Sequence, residues 1–214
     1  MKFYIHTTGC KANQWDSYII QEELINAGMK IANTLSQADL IVINACTVTE
    51  GADRDIRRFI NRCRRLDHKG KIILVGCQPQ AHQKDTFGVD LILGQNEKYF
   101  IKAFISENGN FIGDRDKIVL EEIPKNSSRF QIGKTRFFFK IQDGCNRFCS
   151  YCIVPYARGI PRSRPLCDVL GFLKVLKERG IKEVVLTGIE ISEYRDPLTG
   201  AGLNELLRQI EGCE

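Results

Sequence analysis

The sequence predicts an α/β protein. An amino-terminal open, mostly parallel sheet is followed by the first strand–helix units of an incomplete, partial TIM-type barrel. Two short apolar runs, Asp39–Asn44 (DLIVIN) and Lys71–Val75 (KIILV), read as strands buried on both faces. Segments of helical period lie between such runs, the signature of a mostly parallel sheet. After a polar break, Thr135–Gln142 (TRFFFKIQ) opens a strand, loop, helix, strand, helix series, which is two βα units.

The elements follow in order. Lys2–Thr8 is a short β-prone run. Asn13–Ala27 reads as a helix, with Ile19, Ile20, Leu24 and Ile25 at helical spacing and Gly28 as its stop. After the Asp39–Asn44 strand, Thr49 is placed to cap a helix running to about Leu66. Asp90–Leu93 is a further strand after Lys71–Val75, Asn96–Ile105 a helix and Lys117–Leu120 an edge segment. Pro124–Ser128 (PKNSS) is the polar break. The expected organisation is a domain over 1–124, a linker over 125–134 and a truncated barrel domain over 135–214. In the last, Leu166–Glu178 is a helix ended by Gly180, Glu183–Leu186 a strand and Gly202–Ile210 a final helix. Phe137–Phe139 alternate across their strand and read as core.

Composition narrows the class. The 214 residues suit one large domain or two small ones. With 43% hydrophobic and 27% charged residues, the chain is neither disordered nor collagen-like. No apolar run approaches the ~20 residues that span a bilayer. The start, Met1–His6, has no long apolar segment after its lysine, so a cytoplasmic protein without a secretory signal or membrane partner is expected. The net charge of +5 is concentrated late: 17 basic residues face 16 acidic ones up to Ser128, and 14 face 10 beyond it. Such an excess permits an anionic partner such as RNA without requiring one.

Nine cysteines stand out. An odd number in a reducing compartment argues against a disulfide framework and for metal binding, catalysis or packing. Cys10, Cys46 and Cys77 each follow a predicted strand, behind Gly9, Ala45 and Gly76. The carboxyl ends of parallel strands share one sheet edge, where ligands of open α/β folds bind. Three converging thiolates suit an iron–sulfur cluster with one iron open. The alternative is three small cysteines that cap strands and touch nothing reactive. Cys63 lies in Arg54–Arg65, a segment with six arginines, and reads as packing. The arginines form a solvated face or a nucleic-acid-binding one.

The second part holds Cys145, Cys149 and Cys152 in a C-x3-C-x2-C loop directly after a strand. Three thiolates within eight residues wrap one 4Fe–4S cube and leave its fourth iron free for substrate. Tyr151, between two ligands, is placed to shield such a cluster. A zinc knuckle needs a fourth ligand; the nearest cysteine is Cys167, and no histidine follows His82. Arg158, Arg162 and Arg164 follow the loop, either to meet phosphate or carboxylate or as a solvated stretch. Cys167 and Cys213 have no partner in either motif.

The C-x3-C-x2-C loop after a first barrel strand resembles the radical S-adenosylmethionine enzymes. That resemblance implies that the open iron chelates S-adenosylmethionine, which is cleaved to a 5′-deoxyadenosyl radical, and that the second domain is an incomplete radical-SAM barrel. It puts Gly188 and Glu190, at the end of the second barrel strand, near the methionine amino group, and Tyr151 and Arg158 with them as cofactor-binding residues. TTGCKANQWDS, INACTVTEGADR and VGCQPQ, together with KIQDGCNRFCSYCIVPYARG, resemble the methylthiotransferases over essentially the whole chain. By that resemblance, Cys10, Cys46 and Cys77 hold an auxiliary 4Fe–4S cluster, Cys145, Cys149 and Cys152 hold the radical one, and two S-adenosylmethionine molecules serve each turnover.

The segments Cys10–Asn13, Asn44–Thr49 and LTGIEISEY are most similar to the branch acting on N6-threonylcarbamoyladenosine beside the tRNA anticodon. The branches acting on isopentenyladenosine in tRNA and on a ribosomal-protein aspartate are the alternatives. The implied partners are tRNA, an electron donor such as flavodoxin or ferredoxin, and a sulfur donor. The chain corresponds to the amino-terminal part of the usual family protein. A non-catalytic cluster-binding fragment and a simple iron–sulfur electron carrier are the competing readings from other classes; carriers usually ligate all four irons.

Overall fold

The computed structural model describes residues 1–48, 50–66, 70–83, 87–124 and 136–212. Thr49, the whole of the expected linker, Thr135 and Cys213 lie outside them. Strands Lys2–Thr7 (β1), Lys30–Ile31 (β2), Leu40–Ala45 (β3), Lys71–Gly76 (β4), Leu91–Leu93 (β5) and Gly109–Phe111 (β6) form one wholly parallel sheet in the order β2-β1-β3-β4-β5-β6.

Alternation along the strands explains how this sheet is covered. Ile41, Ile43, Ile72 and Leu74 face the helix Glu50–Arg65 (α2) through Ile56, Phe59, Ile60 and Cys63, so Cys63 is a packing residue. Leu40, Val42, Ile73 and Val75 face the helix Lys11–Asn26 (α1) through Ile20 and Leu24. Helices on both faces are what an all-parallel sheet needs. The order of strand addition reverses between β1 and β3: β2 lies on one side of β1, and β3 to β6 follow on the other. The rim above that reversal is where open α/β sheets bind ligands.

Three expectations shift. The expected helix over Asn96–Ile105 is a 3-10 turn, Glu97–Phe100, running into a short helix, Ile101–Phe104 (α4). Its Lys98 and Tyr99 reach inward to Asp16 instead of lying along a regular helix face. The edge strand is Gly109–Phe111, pinned by stacking of Phe111 on Phe104, not Lys117–Leu120; Arg115–Lys117 is a 3-10 turn capped by Asp114. The helix Cys77–Ala81 (α3) begins on the residue after β4 and has too few residues to show a period.

In the second part, Arg136–Lys140 (β7) pairs in parallel with Glu183–Thr187 (β10), bridged by the helix Leu166–Glu178 (α6). Gly180, at φ +76°, stops α6: its N–H donates to the Lys177 carbonyl while that of Ile181 donates to Leu176, a glycine-ended helix terminus. Gln142–Asp143 (β8) pairs antiparallel with Arg162–Ser163 (β9) across the cysteine loop and the helix Val154–Arg158 (α5), and the chain continues into the helix Leu203–Glu211 (α7). Among the described residues there is no closed barrel. No helix of the described residues is long and apolar enough to cross a membrane.

The two parts share a core. Trp15 and Ile19, on the side of α1 turned from the sheet, pack with Tyr99 against Phe137, Phe139, Val169, Phe172 and Leu176. α1 is therefore apolar on two sides, a buried helix and not a one-striped surface helix.

Candidate functional site

Cys10, Cys46 and Cys77 stand on the rim at the carboxyl ends of β1, β3 and β4. Two asparagines tie the loops together: Asn13 Nδ2 donates to the carbonyls of Thr8 (2.7 Å) and Asn44 (3.2 Å), and Asn44 Nδ2 donates to the Asn13 carbonyl (2.9 Å) and to Ser17 Oγ (2.8 Å). The Cys46 N–H donates to Thr8 Oγ1 at 3.0 Å. Gly9, at φ +96°, passes so close to Cys46 that a Cβ on it would lie 2.4 Å from the cysteine Cβ and 2.7 Å from Sγ. No other residue fits both that backbone and that gap.

Cys77 is the most elaborately held of the three. Its Sγ receives the Nε–H of Arg158 at 3.2 Å and an Nε2–H of Gln95 at 3.1 Å. Burial pushes its thiol up; Arg158 and Lys98 oppose that, while Cys10 and Cys46 add to it.

Behind Cys77 lies a buried charge network joining the two parts. Asp16 of α1 accepts from Lys98 (2.7 Å), Lys140 (2.6 Å), Arg158 (2.9 Å) and the Tyr99 hydroxyl (2.8 Å). Asp143 accepts from Lys140 (2.8 Å), Arg162 (3.1 Å) and both ways from Arg158 Nη1 (3.0 and 3.1 Å). Glu121 takes Lys140 at 3.0 Å, Arg164 and the Trp15 indole N–H. Burial would raise both the Asp16 and the Asp143 carboxyls. For Asp16 it is outweighed by Lys140, Lys98 and Arg158, and for Asp143 by Arg158, Lys140 and Arg162, so both are held far below the ordinary carboxylate range. In this network the buried cations Lys98, Lys140, Arg158 and Arg164 outnumber the carboxylates Asp16, Asp143 and Glu121. Of these cations, Arg158 lies beside Cys77, where it opposes the burial that raises that thiol.

The second triplet lies on the loop after β8. Gly144, at φ +76°, sets its start, since a Cβ there would fall 2.0 Å from the Ile160 carbonyl oxygen. The Cys145 N–H donates to the Gly159 carbonyl and the Cys152 N–H to that of Cys149, each at 2.9 Å. Cys145 and Cys152 are half-buried and Cys149 is exposed. Gln142 braces the floor: its Nε2 donates to the carbonyls of Asp143 and Gly144, and its Oε1 accepts the Glu190 N–H at 2.9 Å. Gly188 passes against the same side chain; a Cβ on it would lie 2.8 Å from Gln142 Oε1.

One side chain links Cys77 to the strand that precedes the second cysteine loop. α5 follows the second cysteine loop and packs on α3, which begins at Cys77. Arg158, at the end of α5, reaches Cys77 with Nε and Asp143, two residues before Cys145, with Nη1. Among the described residues no three His, Cys, Asp or Glu side chains close on a single metal ion. The donor chemistry, three thiols per site with cationic N–H donors behind one of them, fits a cluster that takes one thiolate per iron.

The structure places the other expected site residues as follows. Arg158 is 1% exposed, and all three of its nitrogens are engaged by Cys77, Asp143, Asp16 and Asn13. Arg162 and Arg164 likewise meet this chain's own Asp143 and Glu121, so of the readings open to the three arginines they follow the one in which they meet carboxylates, and they are not a solvated stretch. The Tyr151 side chain is 89% exposed. Glu190 lies near the rim, its Oε2 3.7 Å from Arg147 Nε and its Oε1 taken by Ser192. Gln95, Asp16, Lys98, Lys140 and Asp143 escaped the sequence reading as site residues. Gln95 does stand two positions after β5, as Cys77 directly follows β4, and Asp143 stands two before Cys145.

Comparison with known proteins agrees with this arrangement. A model described as uncharacterized protein family UPF0004 matches residues 2–94, and a radical SAM superfamily model matches residues 139–210. The chain is 34% identical to a threonylcarbamoyladenosine tRNA methylthiotransferase of Aquifex aeolicus, covering 100% of this chain and 54% of that protein. It is 34% identical to the namesake of Bacillus subtilis, covering 96% and 47%. To a tRNA-2-methylthio-N(6)-dimethylallyladenosine synthase of Chlorobium luteolum it is 31% identical, covering 98% and 49%. The chain thus spans about half the length of these curated relatives. Among solved structures, the radical S-adenosylmethionine methyltransferase TsrM of Kitasatospora setae, with cobalamin and a [4Fe-4S] cluster bound, superposes with a TM-score of 0.59 at 17% identity. The match covers 97% of this chain and 52% of that one, a likeness of fold.

Proposed function

We propose that this chain, which belongs to the radical S-adenosylmethionine methylthiotransferase family, forms the cluster-bearing part of an enzyme that methylthiolates C2 of N6-threonylcarbamoyladenosine beside the anticodon of tRNA. The observation that carries this reading is that Arg158 links Cys77 of the first triplet to Asp143, two residues before the second triplet begins, since inserting sulfur at an activated carbon requires the sulfur source and the activating centre to be close. In it, Cys10, Cys46 and Cys77 hold an auxiliary 4Fe–4S cluster, and Cys145, Cys149 and Cys152 hold the one that receives S-adenosylmethionine. When bound, these groups supply the methyl group, the hydrogen abstraction and the sulfur that turn a C–H bond into C–S–CH3.

The chain's own residues hold and orient. Gly9 and Gly144 admit the backbone approaches that aim Cys46 and Cys145. Gln142, bound to the Glu190 N–H, keeps the β10 end beside the cysteine loop, so that Gly188 and Glu190 line the S-adenosylmethionine side, where the Glu190 carboxylate, paired in this structure with Ser192 and Arg147, would accept from an ammonium group. The buried network lies behind Cys77 and keeps that side of the triplet from water. The proposed partners are tRNA, an electron donor such as flavodoxin or ferredoxin, and a sulfur donor, and the proposed setting is the cytoplasm. A reading on isopentenyladenosine is favoured by the 31% identity to the dimethylallyladenosine synthase of Chlorobium luteolum.

Mass spectrometry of tRNA nucleosides from a strain lacking the gene separates the two. Loss of methylthio-threonylcarbamoyladenosine is expected. Its persistence alongside loss of the methylthio-isopentenyl nucleoside overturns the preferred substrate and establishes the second.

A further inference from the structure

The three thiols of the first triplet are not equivalent. Cys10 is exposed, Cys46 lies against Gly9, and among the described residues only Cys77 is given side-chain N–H donors: Arg158 Nε at 3.2 Å and Gln95 Nε2 at 3.1 Å. Neither contact is incidental. The Gln95 amide is oriented by Lys98, whose Nζ donates to Oε1 and so turns the NH2 group toward sulfur, while the Gln95 backbone N–H is tied to Gln80 Oε1 at 2.9 Å. Lys98 is itself held by Asp16 Oδ2 at 2.7 Å. The same carboxylate oxygen holds Arg158 Nη2 at 2.9 Å. Asp16 therefore anchors both donors, one through Lys98 and one directly.

A ligand sulfur becomes more electron-rich when its cluster is reduced. Hydrogen bonds and positive charge on that sulfur favour the reduced form and raise the reduction potential. We propose that Gln95 and Arg158 are positioning residues that raise the reduction potential of the auxiliary cluster by donating to Cys77, with Asp16 and Lys98 fixing their aim. The inference rests on the reading that Cys10, Cys46 and Cys77 hold a 4Fe–4S cluster.

The test isolates that site. The full chain carrying C145A, C149A and C152A is reconstituted anaerobically with iron and sulfide. It is then titrated with dithionite and mediator dyes while the electron paramagnetic resonance signal of the reduced cluster is followed. About four irons per chain are expected. Gln95→Leu removes one donor and leaves the ion pairs of Asp16 in place. It is expected to shift the one-electron equilibrium about tenfold toward the oxidised form, roughly 59 mV more negative. Gln95→Glu, which sets a carboxylate against the sulfur, goes further in the same direction, and Arg158→Lys, which keeps charge but loses the Nε donor, shifts less than the glutamate variant.

A merely structural role would not order the potentials as Glu below Leu below Gln. Equal midpoints for the parent, Leu and Glu proteins at unchanged iron content overturn the inference and leave the cluster reading standing. Failure of the parent protein to bind iron overturns the cluster reading itself.

Discussion

Asp16→Asn tests whether the charge network holds the two parts together. The substitution keeps size and one acceptor but removes the charge that Lys98, Lys140 and Arg158 share at 2.7, 2.6 and 2.9 Å, all four side chains being essentially inaccessible. Removing one partner from a buried ion pair costs about 3–5 kcal/mol, because the partner charge stays buried. Asp143 and Glu121 remain to share the cations, so the lower half of that range is expected. With a urea slope of about 3 kcal/mol/M, the midpoint falls by about 1 M. The assay is built in. Trp15, the single tryptophan, packs at that junction, with Phe139 5.1 Å and Phe172 5.8 Å away and the Arg164 guanidinium 5.3 Å from its ring. Its fluorescence therefore reports separation of the parts, and coincidence with the circular dichroism transition shows whether they separate as one unit. Asp55→Asn is the control: its pair with Arg58 spans 3.6 Å and is largely exposed, and such pairs contribute about 0–1 kcal/mol. If Asp16→Asn costs no more than Asp55→Asn, the network does not bind the two parts and the reasoning fails.

Two further outcomes follow from single positions. Gly9→Ala puts a methyl group 2.7 Å from Cys46 Sγ on a backbone at φ +96°, and reconstituted iron is expected to drop from about eight to about four per chain; undiminished iron would show that the close approach is not needed. Burial holds the His6 imidazole, stacked on Phe59 at 3.7 Å, below its usual pKa, with Arg62 helping and Asp55 opposing. Its neutral form is thus the one the fold favours. The stability it contributes is present above pH 6.5 and is lost as pH falls through the lower folded value, so a thermal midpoint that drops between pH 7.5 and 5.5 should drop less in His6→Asn; identical slopes would refute the assignment.

The fold was legible where one physical signal dominated. The runs DLIVIN and KIILV announced strands because a sheet covered on both faces demands continuous apolar residues, and β3 and β4 lie within one residue of their expected bounds at each end. β2, β6 and α3 were not legible, because two to five residues cannot display a period. Both cysteine triplets were legible from spacing and from their places at strand ends. The residues behind them were not. Lys98, Lys140 and Arg158 look like surface residues in a linear reading, and their burial follows only from partners 82 to 142 positions away. Arg158 in particular was read as a cofactor residue from its place after a cluster loop, and its pairing with Asp16 and Asp143 could not be read from that place.

The two-sided burial of α1 also bears on synthesis. Its Trp15 and Ile19 wait for Phe137 and Phe139, which leave the ribosome more than a hundred residues after the helix is complete. At roughly 5–20 residues per second, that side of α1 stands uncovered for about 5–20 seconds. Asp16, in the middle of the same surface, already has Lys98 as a partner within the first part, so the wait leaves an apolar patch with its charge half-matched. A chain halted in that interval would present the patch to chaperones or to other nascent copies, which makes the junction the point where translation speed and aggregation meet in this protein.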